Sequence, residues 1–450
     1  MSHLSLRENS YRRKHLAYVR HITLDPTGPG VVRIHMIPPH SQSPEDPYLL
    51  LLNGAQLVPL NFSWAVLLSE FMYCTEPYAG VEISADDWES MLEQAVRAVK
   101  KKVYPFVKAQ ILREDMGTLL RSLVAIARGQ EPEVEVAPLS LGEYADKMSA
   151  PHRMDLMVSA MTRDAAGQPM GEVKELDTAQ WKELLQRLQA ANIPQVTFTG
   201  GEPTLRSDLV ELVNAAQWFV TRLNTNGRRL TADLCKALYE ASLDSVQVTL
   251  YSDKAAVHNA LVGVDGFGDT VAGIKNAVES GLIVSINTPL CSVNRDYADT
   301  LRFAASLGVR YATCSGLIPS GGATTEGSVA TRLSQAELTD ILRTAVETAH
   351  SLGMELDFTS PGWLPEETLR SLGLQLIPSC GACLSNMAVT PDGTVVPCQS
   401  WLGGVTLGNV LTDPWEKIWT NPQCAAIRAE SAKMEHLCQL QAGNRKEAEA

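Results

Sequence analysis

The chain has 450 residues, of which 45% are apolar and 20% charged, and its formal net charge is −13. A chain of this length and ordinary globular composition predicts roughly two to four domains rather than a single core. The acidic balance argues against broad nucleic-acid binding, because phosphate contacts need clustered Lys and Arg. No run of about 18 apolar residues occurs, and the polar, basic N-terminus lacks the apolar segment of a secretory signal. We therefore expect a cytoplasmic protein without a membrane span.

The distribution of the nine cysteines is more informative than their number. Five of them crowd into the last 71 residues, namely Cys380, Cys383, Cys398, Cys424 and Cys438. The other four are scattered through apolar surroundings, namely Cys74, Cys235, Cys291 and Cys314. An odd number of cysteines in a long chain of cytosolic type is a poor basis for disulfides, and clustering around a C-x-x-C favours a metal site.

Residues 1–129 carry the pattern of an α+β domain, with strands first and helices after them. A strand is predicted over Val31–Ile37, and a hairpin over Tyr48–Leu52 and Gln56–Leu60. Asn53-Gly54 between the two hairpin strands is the dipeptide typical of a two-residue type I′ turn. Two helices should follow, one capped by Asn61 and one by Ser84 with Asp87 three residues later.

Residues 130–150 show no periodicity and are predicted to be a linker, and residues 151–360 alternate between strands and helices. A helix is predicted over Thr178–Ala191 and another over Ser334–Leu352, followed by a short strand at Glu355–Phe358. Six earlier apolar runs read as strands, namely Met154–Ala160, Gln195–Thr199, Thr221–Asn224, Ser245–Leu250, Ile283–Asn287 and Val309–Cys314. This alternation predicts a parallel sheet, either doubly wound or an incomplete barrel, with its ligand site at the carboxyl ends of the strands.

Three polar loops with small residues follow consecutive strands in this region. They are Thr199–Thr204 (TGGEPT), Asn224–Gly227 (NTNG) and Thr249–Ser252 (TLYS). Glycine lets the backbone approach a ligand closely, and Glu202 can accept hydrogen bonds from an amine. Each loop taken singly is also consistent with plain turn chemistry, but three of them on one rim of a sheet describe a pocket for a polar small molecule.

These motifs, in the order TGGEPTL, NTNG, VTLYS, INTPL and SGLIPSG, resemble the radical S-adenosylmethionine (radical SAM) superfamily. The resemblance implies a partial (βα)6 barrel that is similar to a TIM barrel. It also implies that the GGEP residues Gly200, Gly201, Glu202 and Pro203 hold the amino group of S-adenosylmethionine. Residues at the positions of Asn224, Asn226, Thr249 and Ser252 would line the ribose and carboxylate side of that ligand.

The C-terminal residues 361–450 carry a second match. Cys380-Gly-Ala-Cys383, Pro391-Asp-Gly393, Val396-Pro-Cys398 and Leu407-Gly-Asn409 resemble the auxiliary-cluster extension called SPASM, or its shorter twitch form. The resemblance implies one auxiliary 4Fe-4S cluster on Cys380, Cys383, Cys398 and Cys438, with Cys424 in reserve. The same four thiolates could instead hold a structural zinc ion.

One motif of the superfamily is missing from this chain. Radical SAM enzymes carry C-x-x-x-C-x-x-C after the first strand, where three thiolates hold the radical-generating cluster. Here the loop 161–171 reads MTRDAAGQPMG, so the ligand positions fall on Thr162, Ala166 and Pro169 or on Asp164, Gln168 and Gly171. None of these side chains offers the soft sulfur donor that such a cluster needs, so the radical SAM 4Fe-4S cluster is not expected.

The element order of the N-terminal region resembles the small winged-helix domain that binds leader peptides in ribosomal peptide natural-product (RiPP) pathways, although a generic α+β capping domain has the same order. Such a domain pairs an extended peptide with its sheet edge. Two hypotheses follow for the whole chain. It is either a pseudoenzyme that binds a precursor peptide, as a scaffold or as the partner of a catalytic relative, or a working radical SAM peptide-modifying oxidoreductase with an altered cluster loop.

Overall fold

The computed structural model describes residues 6–17, 19–24, 32–39, 46–53, 56–78, 84–134, 145–160, 174–316, 332–374, 376–401, 405–433 and 437–440. The chain divides into two compact units, Met1–Ser149 and Ala150–Ala450. This division does not separate the predicted linker, residues 130–150, or the predicted C-terminal domain, residues 361–450, and the limits of both stay predictions. The cluster loop 161–171 lies outside the described residues.

The first unit is an α+β domain with one antiparallel sheet. Its elements are α1 (Leu6–His15), β1 (Arg20–Leu24), β2 (Val32–Ile37), β3 (Tyr48–Leu52), β4 (Gln56–Leu60), α2 (Phe62–Thr75), α3 (Ala85–Lys102) and α4 (Ala109–Ala127). The strands lie in the order β1-β2-β3-β4 and are antiparallel throughout. Alternate strand residues such as Ile34 and Leu50 pack against buried residues of the three later helices, which include Phe71, Val99 and Leu119. This packing is the core of the unit.

Local sequence signals predicted the later part of this unit correctly. The hairpin of β3 and β4 is confirmed, and Asn61 and Ser84 cap α2 and α3, the latter with a complete capping box to Asp87. The two-residue turn is wrong, because Leu52 pairs with Gln56 and so three residues connect the strands. Asn53 nonetheless has the positive φ, 50°, that the turn signal anticipates.

The elements α1 and β1 were not predicted from the sequence. Helix α1 has the polar sequence LRENSYRRKH and buries only Tyr11. The Tyr11 hydroxyl donates a 2.6 Å hydrogen bond to the buried carboxylate of Glu70, which also forms an ion pair with Lys102 at 2.9 Å. Because α1 is held by this tertiary contact rather than by an apolar stripe, its periodicity carries no signal.

The second unit is built on a parallel sheet with helices between successive strands. Its strands are β5 (Arg153–Ser159), β6 (Gln195–Gly200), β7 (Val220–Thr225), β8 (Ser245–Thr249), β9 (Ile283–Leu290), β10 (Tyr311–Gly316), β11 (Glu355–Phe358), β12 (Asn386–Val389), β13 (Thr394–Val396) and β14 (Gly408–Asn409). Its helices are α5 (Thr178–Ala190), α6 (Leu209–Ala215), α7 (Ala232–Glu240), α8 (Ala255–Val262), α9 (Phe267–Glu279), α10 (Tyr297–Ser306), α11 (Gln335–Ser351), α12 (Glu366–Ser371), α13 (Trp415–Trp419) and α14 (Pro422–Lys433).

The strand order decides between the two architectures that the alternation allowed. Strands β5 to β11 are neighbours in strict chain order and all are parallel. A doubly wound sheet reverses its strand order at a switch point, whereas consecutive neighbours wound in one direction are the arrangement of a (βα) barrel. The partial-barrel prediction is therefore confirmed, with β5–β10 as its six strands and β11 added to one edge.

The C-terminal extension continues the same sheet at its other edge. Strand β12 pairs in parallel with β5, with Asn386 opposite Arg153, and β13 and β14 follow it in antiparallel pairing. The backbone N–H of Arg153 also donates to the carbonyl of Ser385 at 3.0 Å. The cysteine-rich segment is thus fixed next to the amino end of the first barrel strand.

None of the helices in the described part of the chain is long and apolar enough to cross a membrane.

Candidate functional site

The GGEP loop lies directly against the carboxyl end of β5. Gly200 has a φ of +123°, and a Cβ added there would lie 2.2 Å from the carbonyl oxygen of Ser159. The backbone N–H of Gly201 donates a 2.6 Å hydrogen bond to that same oxygen. Only glycine permits both this backbone conformation and this approach. The local reason for Gly200 is therefore close packing between the ends of β5 and β6.

Glu202 joins the first two polar loops of the rim. Its side chain is 5% exposed, and its Oε1 accepts hydrogen bonds from Thr204 N (3.0 Å), Thr204 Oγ1 (2.6 Å) and Thr225 Oγ1 (2.7 Å). Its Oε2 accepts one hydrogen bond, from Asn226 N at 2.8 Å. A carboxylate offers about two acceptor sites on each oxygen, so Oε2 is the atom with capacity left for a ligand amine. The predicted role of Glu202 toward an amine stays a prediction.

Two charged residues, Glu175 and Arg206, lie at the base of the loop that follows β5, and we call this pair the neck. The Glu175 carboxylate accepts hydrogen bonds from Ala160 N (2.7 Å) and Ser159 Oγ (3.2 Å), and so ties the two sides of the loop together. The Arg206 side chain, 8% exposed, donates to the carbonyl oxygen of Val158 at 3.0 Å and lies 3.6 Å from Glu175. Protein contacts alone therefore hold this neck.

Four of the remaining predicted rim residues follow β7 and β8 or lie on them. Asn226 Oδ1 accepts a hydrogen bond from Arg228 N at 3.0 Å, and the buried Ser252 Oγ accepts one from Lys254 N at 3.1 Å. Both side chains thus stabilise their own turns. Asn224 and Thr249 are half-buried residues on the strands themselves. Pro203 begins a short turn of 3-10 helix behind the GGEP loop.

Asn224 and Thr249 lie on a polar face of the sheet that sequence reasoning missed. Asn224 is the register partner of Gln247, and Thr249 that of Asn287, so all four project from the same face. Gln247 Nε2 donates to Thr313 Oγ1 at 3.2 Å, and Thr313 Oγ1 donates to Asn287 Oδ1 at 2.9 Å. The signal was present in the sequence, because polar residues recur at every second position of strands that would otherwise be apolar on both faces.

Deeper on the same face lies a group of opposite charges. Arg222, two residues before Asn224, is largely enclosed. Burial lowers its pKa most, and repulsion from the neighbouring positive charge of Arg153 lowers it further. Asp155 Oδ1 lies 3.0 Å from Arg153 Nε. Asp357 interacts with Arg222, and burial raises the pKa of the Asp357 carboxyl. The two cations and the two carboxylates oppose one another, so the polar face combines amides and hydroxyls near the rim with balanced charges below.

Four of the five clustered cysteines form two thiol pairs near the other end of β5. A hydrogen bond from the Cys438 thiol lowers the pKa of Cys380, which also lies 3.6 Å from Ser431 Oγ. The thiols of Cys383 and Cys424 share a hydrogen bond, which raises the pKa of Cys383 and lowers that of Cys424. Cys398 interacts with both Cys380 and Cys383, and burial raises its pKa to about 11.

The structure therefore brings together the four predicted ligands and, with them, Cys424. No group of three or more His, Cys, Asp or Glu side chains among the described residues is arranged for a metal ion, and four of the five sulfurs form two pairs. Five soft thiols in one neighbourhood nevertheless fit the donor chemistry of an iron–sulfur cluster or of zinc. The assignment of particular ligands stays a prediction.

The fold and the site define a class of protein, a partial (βα) barrel with a polar rim and a cysteine-rich C-terminal extension. The family model described as the Radical SAM superfamily matches residues 152–304, and the SPASM model, an iron-sulfur cluster-binding domain, matches residues 380–440. The chain thus carries a radical SAM domain followed by a SPASM domain, as the resemblance of its motifs implied.

Curated relatives are similar over part of the chain. A probable GTP 3',8-cyclase of Thermococcus kodakarensis is 36% identical over 146 residues, which is 32% of this chain and 47% of the relative. A PqqA peptide cyclase of Ruegeria pomeroyi is 28% identical over 236 residues, which is 51% of this chain and 61% of the relative. The alignments therefore cover less than two thirds of these two relatives.

Solved structures show the same fold over most of the chain. SuiB of Streptococcus suis bound to its precursor peptide SuiA aligns with a TM-score of 0.60 and 13% identity, covering 88% of this chain and 93% of SuiB. SuiB bound to S-adenosylmethionine aligns with a TM-score of 0.58, 14% identity and the same coverage. At these identities the likeness establishes the architecture.

Proposed function

We propose that this chain binds a precursor peptide of a RiPP pathway together with S-adenosylmethionine, and that it does not generate a radical. In this proposal it is a pseudoenzyme, a scaffold or the partner of a catalytic radical SAM relative. Support comes from the relatives, since SuiB has been solved with a precursor peptide and with S-adenosylmethionine, and other relatives carry the name PqqA peptide cyclase.

One observation carries the non-catalytic part of the proposal. No cysteine occurs between Cys74 and Cys235, so the loop after β5 has no sulfur ligand in either register. The cluster supplies the electron that cleaves the sulfonium, and its irons need soft thiolate ligands. Threonine, alanine, proline, aspartate, glutamine and glycine are no substitute for them.

The rim supports the binding part of the proposal. Its loops are joined by Glu202, and the neck is closed by Glu175 and Arg206, all through protein contacts. A framework stabilised in this way does not need a metal cluster to keep its shape. Asn224, Thr249 and Glu202 Oε2 then present polar atoms to a ligand on the face where the superfamily binds S-adenosylmethionine.

The sheet of the first unit supports peptide capture. Strands β1 and β4 are its two edges in the described part of the chain, and each has a partner strand on one side. An extended peptide can add to such an edge through main-chain hydrogen bonds while its alternate side chains enter neighbouring pockets. A precursor peptide, of the kind with which SuiB has been solved, is the proposed occupant of this edge.

Anaerobic reconstitution with iron and sulfide tests the catalytic question. The proposal expects about four iron and four sulfide per chain, held by the C-terminal cysteines, and no 5′-deoxyadenosine after reduction with S-adenosylmethionine. About eight iron per chain, or turnover to 5′-deoxyadenosine, contradicts it. Metal analysis of the same samples identifies zinc if the cysteines hold that ion instead. Calorimetry should show S-adenosylmethionine binding, but more weakly than to an enzyme whose open iron chelates it.

The second candidate function is a working peptide-modifying oxidoreductase whose cluster loop is altered. The observation that favours it is the unbroken run of motifs from TGGEPTL to SGLIPSG. Restoring cysteines separates the two functions and their registers. We expect the triple variant Thr162→Cys, Ala166→Cys, Pro169→Cys or the triple variant Asp164→Cys, Gln168→Cys, Gly171→Cys to gain a second cluster that the unchanged chain lacks. A wild-type chain that already holds two clusters favours the oxidoreductase.

A further inference from the structure

Cys424 lies in the first turn of α14, where an arginine one turn later contacts it. The Arg428 Nη1 donates a 3.5 Å hydrogen bond to Cys424 Sγ and a 3.3 Å hydrogen bond to the carbonyl oxygen of Trp419. The Arg428 guanidinium carbon lies 3.9 Å from the centroid of the Trp419 ring. Stacking and two hydrogen bonds therefore fix the guanidinium with one edge toward the sulfur.

The charge of Arg428 has no carboxylate partner within ion-pair distance among the described residues. A guanidinium cannot be deprotonated in a protein, so it remains a full positive charge beside the thiol. A positive charge and a hydrogen-bond donor at a sulfur stabilise an anionic ligand there.

Burial distinguishes Cys424 from Cys438, which the motif resemblance had preferred. Cys424 is fully buried and is in contact with both Cys383 and Arg428. Cys438 is only half-buried, and its thiol pairs with that of Cys380. Five cysteines compete for the four positions of one cluster, so one of them must be dispensable.

We propose that Cys424 rather than Cys438 is the fourth ligand of the group held by Cys380, Cys383 and Cys398, and that Arg428 is a positioning residue that fixes the Cys424 sulfur. This inference rests on the proposed metal site. Arg428 then acts on the bound cluster through its hydrogen bond and charge, both of which raise the reduction potential of an iron–sulfur cluster.

The ligand assignment is tested by anaerobic reconstitution of the full chain and of the variants Cys424→Ser and Cys438→Ser, with iron and sulfide measured per chain. We expect Cys424→Ser to lose most of its iron and Cys438→Ser to retain it. The reverse result overturns the assignment. Uptake of Co(II), followed by its thiolate absorption bands, repeats the comparison without iron, and circular dichroism verifies that each variant is folded.

The positioning role is tested with Arg428→Met and Arg428→Lys, and with Arg343→Met as the matched control at an exposed arginine paired to Asp340. We expect a lower reduction potential for Arg428→Met in a redox titration monitored by electron paramagnetic resonance. We also expect roughly tenfold faster loss of iron to a chelator, with partial rescue by lysine, as for other outer-sphere partners of metal ligands. Unchanged potential and release in Arg428→Met overturn the role of Arg428.

Failure of the inference and failure of the proposed metal site have different signatures. If the wild-type chain takes up neither iron with sulfide nor Co(II), the metal site is wrong and the inference falls with it. If the wild type takes up iron and the Cys424 and Arg428 variants behave like it, only the inference is wrong.

Discussion

The two ends of β5 satisfy their polar groups in different ways. At the carboxyl end, the Ser159 carbonyl oxygen accepts a hydrogen bond from the backbone N–H of Gly201. Glu202 joins two loops by accepting four hydrogen bonds from protein groups. At the amino end, about 20 Å away along a seven-residue strand, the cysteine sulfurs are satisfied largely by one another. The first end is held in shape by protein contacts. The second holds reactive groups whose better partner is a metal.

This difference predicts which substitutions should destabilise the folded protein. Substitutions at the rim remove protein–protein contacts and should cost stability at once. Substitutions around the cysteines should cost little until the metal is bound, because thiol pairs are weak hydrogen-bonding partners. The four predictions below test this contrast, and the first is expected to have the largest effect.

Gly200→Ala should be the most damaging, because the new methyl group would meet the Ser159 carbonyl oxygen in a backbone conformation that already disfavours alanine. We expect a loss of about 3 kcal/mol or more in the free energy of unfolding in urea. Gly263→Ala is the matched control, since Gly263 also has a positive φ, +79°, but nothing lies within 4 Å of its added Cβ. It should cost about 1 kcal/mol. Equal losses for the two variants would show that the rim is not closely packed.

Glu202→Gln should destabilise the chain by about 2–4 kcal/mol. The amide places N–H donors where the protein presents donors, so at least one buried hydrogen bond cannot be made. The control is Glu240→Gln, at a side chain that is 65% exposed and lies 3.9 Å from Lys236. It should change the free energy of unfolding by less than about 0.5 kcal/mol. A Glu202 variant as stable as the control would refute its role as a joint.

His152, at the amino end of β5, should make stability depend on pH. Burial lowers its pKa from 6.5 to about 4, so the unfolded chain binds a proton at a higher pH than the folded chain does. Its contribution is present in full above about pH 6.5 and declines as the pH falls toward 4, with a loss of about 2 kcal/mol at pH 5. The difference between the unfolding free energies at pH 7.5 and pH 5 should therefore be smaller in His152→Gln than in the wild type. An identical pH dependence in both proteins would exclude this assignment.

Ser431→Ala should have the smallest effect of the four, about 1 kcal/mol in the metal-free chain. The Ser431 hydroxyl donates to the Ala382 carbonyl oxygen at 2.8 Å and accepts from Gln439 Nε2 at 2.8 Å. The exposed Ser306, whose hydroxyl donates to its own helix at 2.6 Å, is the control and should be neutral as alanine. If Ser431→Ala cost as much as Gly200→Ala, the contrast between the two ends of β5 would be lost.

Local signals predicted much of this fold. Capping residues such as Ser84, the hairpin dipeptide at Asn53 and the apolar strand runs each act over a few neighbouring residues, so they are legible in the chain. The polar face behind Asn224 was legible in principle, as an alternation within strands. The four-donor environment of Glu202 was not, because its donors come from two loops that only the sheet brings together.

The sequence by itself determined the motifs at each strand end, the absence of cysteine from the loop after β5 and the presence of five cysteines near the C-terminus, because these are properties of residue type and spacing. Only the tertiary structure decided that the sheet is a barrel in strict strand order, that β12 extends it beside β5, and that Cys424 lies against Cys383. Strand neighbours and side-chain partners distant in the chain depend on long-range packing, which no local pattern encodes.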